Sequence, residues 1–163
     1  RIMGHSQTLI RQLGPGGTAE LKQLLAVFAD VFEQPEVYLG ALPSESYLER
    51  LLANPSFIVL VSENDRRVVG GLAAYVLDKF EQERSEVYIY DLGVLKDVRR
   101  QGIATLLIRH LQRIAAERGA YVIFVQADLE DGPAIALYDS LGLKETVHHF
   151  DISVPARKLR EER

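Results

Sequence analysis

Between Val87 and Gln126 the chain places two apolar strands around one long amphipathic helix. No other stretch constrains the fold as much. VYIYDLGV (87–94) is rich in β-branched and aromatic residues. From Ile103 to Arg118, apolar residues recur at Ala104, Leu107, Ile108, Leu111, Ile114 and Ala115, the spacing of a helix with one buried face. Gly119 supplies its stop. YVIFVQ (121–126) is so apolar that it predicts a central strand covered on both faces. Strand, crossover helix and strand in one sheet imply a parallel pair with a right-handed connection.

The rest of the chain reads in shorter pieces. TLIRQLG (8–14) predicts a first strand. Thr18 is positioned to cap a helix to about Glu33, with Leu21, Leu24, Leu25, Phe28, Val31 and Phe32 on its buried face. PEVYLGALP reads as a loop. Ser44 caps a short helix carrying Tyr47, Leu48, Leu51 and Leu52, ended by Asn54-Pro55. FIVLVSE (57–63) and RVVGGLAAYVL (67–77) are strands joined at Asn64-Asp65, a hairpin signal. A charged connection (78–86) leads to 87–94. After 126 come a loop and short helix (131–143) ended by Gly142, a last strand VHHFDI (147–152), and a charged tail at 155–163. Met3 is the only methionine, so residues 1–6 read as an N-terminal remnant around a natural start. The expectation is a single α/β (α+β) domain over 1–163. Its central mixed sheet would have six to seven strands, mostly antiparallel, with a parallel crossover between strands four and five and about four flanking helices.

Composition excludes several functions. The formal charge is -4 and no Lys/Arg block precedes the last few residues, which argues against nucleic acid as a partner. There is no cysteine, so disulfides, thiolate metal sites and a cysteine acyl-enzyme are ruled out. No apolar run is long enough to span a bilayer and no signal peptide is visible; a soluble, cytoplasmic protein is expected, with no membrane partner. His148 and His149 are adjacent on a predicted strand and would point to opposite faces, so no metal site is expected.

RRQGIATLLI (99–108) carries the chemistry. A helix N-terminus leaves its first amides without partners and bears partial positive charge, so an anion is its natural ligand. Gly102 allows close backbone approach, Ala104 is small, Arg99 and Arg100 add charge, and Thr105 adds a hydroxyl. The competing reading is a solvated turn before an ordinary helix. GPGGTA (14–19) imitates a dinucleotide fingerprint, but the strand before it carries Arg11 and Gln12, and a turn with a helix cap is the better reading. By strict alternation, Val87, Ile89 and Asp91 share one strand face unless a bulge intervenes. A carboxylate among apolar neighbours is then a structural hydrogen-bond acceptor, an anchor for a cationic substrate, or a base.

Arg99-Arg100-Gln101-Gly102-Ile103-Ala104 resembles the R/Q-x-x-G-x-G/A signature of the GCN5-related N-acetyltransferase (GNAT) superfamily, between a strand of L-x-V character (Leu92, Val94) and a long helix. Ala136 to Leu143 resembles that superfamily's A-x-Y-x-x-x-G-F/L segment, with Asp131-Gly132-Pro133 where an asparagine often stands. AAYVLDKFEQERSEVYIYDLGV, GAYVIFVQAD and HHFDI are similar to the type I aminoglycoside 3-N-acetyltransferases. The resemblance implies acetyl-coenzyme A as cosubstrate, its pyrophosphate held by Arg99, Arg100, Gln101, Gly102, Ile103, Ala104 and Thr105, and its pantetheine arm by Leu92, Gly93 and Val94. It implies direct transfer in a ternary complex to the 3-amino group of a gentamicin-type aminoglycoside, which confers resistance, with Tyr138 as acid and Asp91 as the candidate base. Glu83, Glu86, Asp128, Glu130 and Asp151 would then make an acidic cleft for this polycationic amine, or simply a solvated surface. A homodimer is also implied. The alternatives are the same chemistry on a polyamine, small amine or protein amine, or a non-catalytic acetyl-coenzyme A sensor.

Overall fold

The computed structural model describes residues 8–156, in two compact units that divide after Gln126. Residues 1–7 and 157–163, which include the expected N-terminal remnant and most of the expected tail at 155–163, lie outside the described residues.

The first unit is a five-stranded sheet in sequence order: β1 (Leu9–Gln12), β2 (Phe57–Asn64), β3 (Arg67–Asp78), β4 (Ser85–Val94) and β5 (Ala120–Val125). The first three pairings are antiparallel and β4–β5 is parallel, as the crossover requires. The β2–β3 hairpin closes through Asp65 and Arg66, both at positive φ (49° and 66°), with Asn64 opposite Arg67. Two left-handed residues in a two-residue loop match the right-handed twist of the strands.

Four helices belong to this unit. Helix α1 (Thr18–Val31) packs over β3 and β4 through Leu21, Leu24, Val27 and Phe28. Gly71 and Gly93 lie beneath it: a Cβ at Gly93 would stand 3.2 Å from Phe28 and 3.3 Å from Val31. Helix α4 (Ile103–Glu117) packs against all five strands with Ile103, Leu107, Ile108, Leu111 and Ala115. Leu60, Leu72, Leu107 and Leu111 are fully buried, sites where truncation to alanine typically costs about 2–5 kcal/mol. Helix α3 (Glu45–Ala53) is capped as expected, the Tyr47 amide donating to Ser44 Oγ at 3.3 Å. Helix α2 (Pro35–Leu39) replaces the expected loop. Pro35 sits in its first turn, where a missing N–H costs nothing. Thr18 is not a cap but the first helical residue, buried, its hydroxyl donating to Glu45; Gly17 precedes it. The glycine-rich turn keeps its polar groups busy: Gly17 N donates to Gly14 O at 2.9 Å, Gly16 N to Glu49 at 3.3 Å, and Arg11 pairs with Glu20 and Glu63.

The second unit holds α5 (Gly132–Asp139), capped by Asp131, which accepts from the Ala134 amide at 3.1 Å. Three expectations need correction. The sheet has five strands among the described residues, not six or seven. Residues 147–152 form no strand, and Phe150 and Ile152 are exposed. β5 is at the sheet edge rather than its centre, with Tyr121, Val122 and Phe124 exposed. An apolar run specifies a need for cover but not which neighbour provides it.

Candidate active site

The site forms on β4, where one residue too many breaks the alternation. Ile89 pairs with Ala74 and Asp91 with Ala73, which leaves Tyr90 as an unpaired bulge. The extra residue moves Asp91 off the face of Val87 and Ile89 onto that of Ala73, Tyr75 and Tyr88. The strict alternation read from sequence is corrected accordingly. Val87 and Ile89 stay in the core, while Asp91 is half-buried on the α1 side.

There Asp91 meets a residue that the sequence reading assigned to a loop. Tyr38 Oη, on α2, donates to Asp91 Oδ1 at 3.1 Å. Phe28 of α1 and Phe32, just past its end, hold that ring, at centroid distances of 5.8 and 5.7 Å. Burial raises the Asp91 carboxyl above the usual carboxylate range, and the Tyr38 hydrogen bond offsets only part of the shift. The Tyr38 phenol is pushed far above its ordinary value by burial and then by Asp91. Tyr75 and Tyr88 are raised too, mainly by burial with Tyr90 and Asp91 contributing. The result is one carboxylate inside a ring of protonated phenols. It is basic for its type and set where a cation would relieve its desolvation.

Just beyond Asp91, Leu92, Gly93 and Val94 finish the strand, and a 3-10 turn (Lys96–Val98) leads to the head of α4. Arg99 Nε donates to Val94 O at 3.1 Å, folding the arginine back over the strand end. Arg100 and Gly102 are both left-handed, at φ 60° and 75°. The first amide to donate back is Leu106, to Gly102 O at 3.0 Å, so those of Ile103, Ala104 and Thr105 are the free end of the helix. Successive amides in such a turn converge on one point and make a concavity for an anion. Arg99, Arg100 and Gln101 are exposed around it, whereas the Ile103 side chain is core and only its backbone faces that way. These residues fit a pyrophosphate.

The residues of the expected acidic cleft are divided between the two units. Glu83 sits in the exposed 79–84 bend. Glu86 lies on Asp91's face of β4, but Lys79 approaches it at 3.6 Å and Tyr121 Oη donates to it. In the second unit, Asp128 and Glu130 line an open depression with Leu129, Asp131 and Pro133, and Asp151 lies 3.0 Å from His149. The opposite-faces argument for His148 and His149 lapses with the strand; among the described residues no group of three or more histidines and carboxylates could hold a metal. Tyr138, on α5, has its phenol pushed up to about 12 by burial and then by Asp131, so it stays protonated and able to donate.

Residues 21–143 match the acetyltransferase (GNAT) family. The chain belongs to the GNAT family. An aminoglycoside acetyltransferase from an uncultured soil metagenomic sample is 54% identical to this GNAT chain, with a TM-score of 0.90 over 91% of this chain and 99% of its own. A second such enzyme from an uncultured soil sample, solved in complex with sisomicin, is 33% identical, with a TM-score of 0.84 over 91% of this chain and 97% of its own. Human N-acetyltransferase 8 is 31% identical over 90 residues, 55% of this chain; the chain spans only 40% of that relative's length.

Proposed function

We propose that the protein is an acetyl-coenzyme A-dependent acetyltransferase whose acceptor is an aminoglycoside, modified at the 3-amino group of its 2-deoxystreptamine ring. The placement of Asp91 carries this reading: the bulge at Tyr90 sets a half-buried, raised carboxylate one residue before Leu92, on a strand that runs to the anion-binding head of α4. The acceptor class is supported by the likeness to soil aminoglycoside acetyltransferases over nearly their whole length. The ring position rests on the resemblance to the type I enzymes.

Acetyl-coenzyme A supplies the acetyl group as an activated thioester. Arg100, Gly102 and the amides of Ile103, Ala104 and Thr105 hold its pyrophosphate, and the Leu92–Val94 backbone aligns its pantetheine arm as an added strand would. The acceptor amine is an ammonium near neutral pH. Asp91 orients it by charge and removes the proton that blocks its lone pair. Tyr138 is the proposed proton donor to the departing sulfur. Acetylation cancels one positive charge, which weakens binding to anionic ribosomal RNA and so confers resistance.

A thiol-release assay tests the reading with gentamicin, spermidine and a peptide bearing a free amino terminus. Gentamicin should turn over, and NMR of the product should place the acetyl group on the 3-amine. Turnover of the peptide or the polyamine alone would overturn the acceptor class. Acetylation of another gentamicin amine would overturn the ring position only.

A further inference from the structure

Four rings next to Asp91 have no part in the reaction just described. Tyr75, Tyr88, Tyr90 and Phe124 run across β3, β4 and β5 as one connected set. Tyr88 stacks on Phe124 at 4.8 Å and 10°, and Tyr90 stands almost upright against both Tyr75 (84°) and Tyr88 (77°). Buried Phe57 supports Tyr75 at 5.2 Å, and Tyr88 Oη donates to Gln126 Oε1 at 3.1 Å. The rings are thus fixed in place, yet Tyr75 and Phe124 are each 37% exposed and Tyr90 is 63% exposed. Rigid aromatic surface left open beside a reactive carboxylate marks a ligand surface.

Charge narrows the ligand. Along the ring-bearing stretches, from Gly71 to Leu77 and from Glu86 to Val94, there is no lysine or arginine; the carboxylates on that face are Asp91 and Glu86, the latter approached by Lys79. The electron-rich faces of the phenols also favour cations. The rings meet in a corner rather than a plane. Such a corner suits a rigid body with an apolar face and a charged edge better than a flexible chain, which would lose rotational freedom on settling there.

We propose that Tyr75, Tyr88, Tyr90 and Phe124 are the docking floor for the acceptor, taking the C–H face of an amino-sugar or aminocyclitol ring while Asp91 receives that ring's ammonium. This rests on the acetyl-transfer reading above and adds the residues that select ring acceptors.

Tyr90→Ala and the Tyr75→Ala/Tyr90→Ala pair test it, with Tyr90→Phe as the conservative variant. Each is assayed against gentamicin and spermidine at saturating acetyl-coenzyme A, with folding followed by circular dichroism and acetyl-coenzyme A affinity by calorimetry. Tyr90 is mostly exposed, so its removal leaves the core intact. Tyr90→Ala should raise the gentamicin KM about tenfold, more than it lowers kcat, with acetyl-coenzyme A affinity unmoved. Tyr90→Phe should recover most of that loss, and any spermidine KM should move far less. If wild-type protein acetylates gentamicin and the folded double variant keeps its KM, the docking floor is wrong and the acetyl-transfer reading stands. An equal rise for spermidine would overturn ring selection. If wild-type protein acetylates no aminocyclitol, the reading itself falls and takes the floor with it.

Discussion

At the scale of single residues, Asp91 answers to two opposed demands. Burial favours its neutral form in the folded protein, so its folded pKa lies above the unfolded one. Its contribution to stability is therefore present below the ordinary carboxylate range and lost as pH rises through the raised value. At pH 7 the ionised group is a burden on the fold and, on the proposed reading, a requirement of the chemistry. Asp91→Asn should lower kcat by about a hundredfold or more while thermal melting at pH 7 gives a Tm no lower than wild type. A fall of several degrees with normal kinetics would make Asp91 structural instead. Tyr138→Phe should lower kcat and leave acetyl-coenzyme A affinity unchanged; a kcat within about twofold of wild type would give its role to another group or to water. The sequence singled out Asp91 as an anomaly, an acid in an apolar strand. It did not reveal Tyr38, because a five-residue helix has too few turns to show a period, and Pro35 and Gly40 at its ends read as loop punctuation.

At the scale of elements, the head of α4 has the free amides and left-handed turn that its sequence suggested. A Cβ at Gly102 would meet nothing within 4 Å, so space within the chain does not demand glycine there; the φ of 75° does. Gly102→Val should therefore fold, with a weakened helix start, and lose acetyl-coenzyme A affinity by at least about tenfold, equivalent to about 1.4 kcal/mol. Gly102→Asn, which tolerates the left-handed region better, should lose less; calorimetry on both separates conformation from bulk. Equal affinity in all three proteins would remove the anion from this turn. Elements with a strong local signature were legible: the 3.6-residue stripe of α4, the Ser44 cap, and the hairpin, displaced by one residue to Asp65-Arg66. Strand β5 was legible as a strand but not in its position, and 147–152 misled because β-prone residues such as Val147, Phe150 and Ile152 record an affinity for sheet, not a partner. The surroundings of the acidic residues were illegible for a related reason. Carboxylates spaced along a chain carry no sign of which local lysine, tyrosine or helix end will claim them, as Lys79 claims Glu86 and α5 claims Asp131.

At the scale of the whole molecule, the pH profile should combine these groups. Activity is expected to rise along an acid limb displaced upward from the ordinary carboxylate range by the burial of Asp91. Tyr138, pushed up to about 12, should cause no loss on the alkaline side through about pH 9. An acid limb unchanged in Asp91→Asn would assign that limb elsewhere. The core tolerates little beneath α1: Gly71→Ala sets a methyl against the Leu60 carbonyl and 2.7 Å from Leu24, and thermal melts should show a loss of about 1–3 kcal/mol. The bulge at Tyr90 has a consequence of another kind. The sidedness of Asp91 is a matter of pairing: Ile89 stands opposite Ala74 and Asp91 opposite the adjacent Ala73, so the two face opposite ways although a residue lies between them. A one-codon deletion at Tyr90 would keep both pairings and restore plain alternation, with the acid still on the face of Tyr88. It would cost the strand a ring and not its carboxylate. A strand of the same length without the bulge would instead turn the acid toward the core beside Ile89. Lineages of this fold can therefore gain or lose an aromatic residue beside the acid by a change of length in β4 without moving the acid to the other side of the sheet.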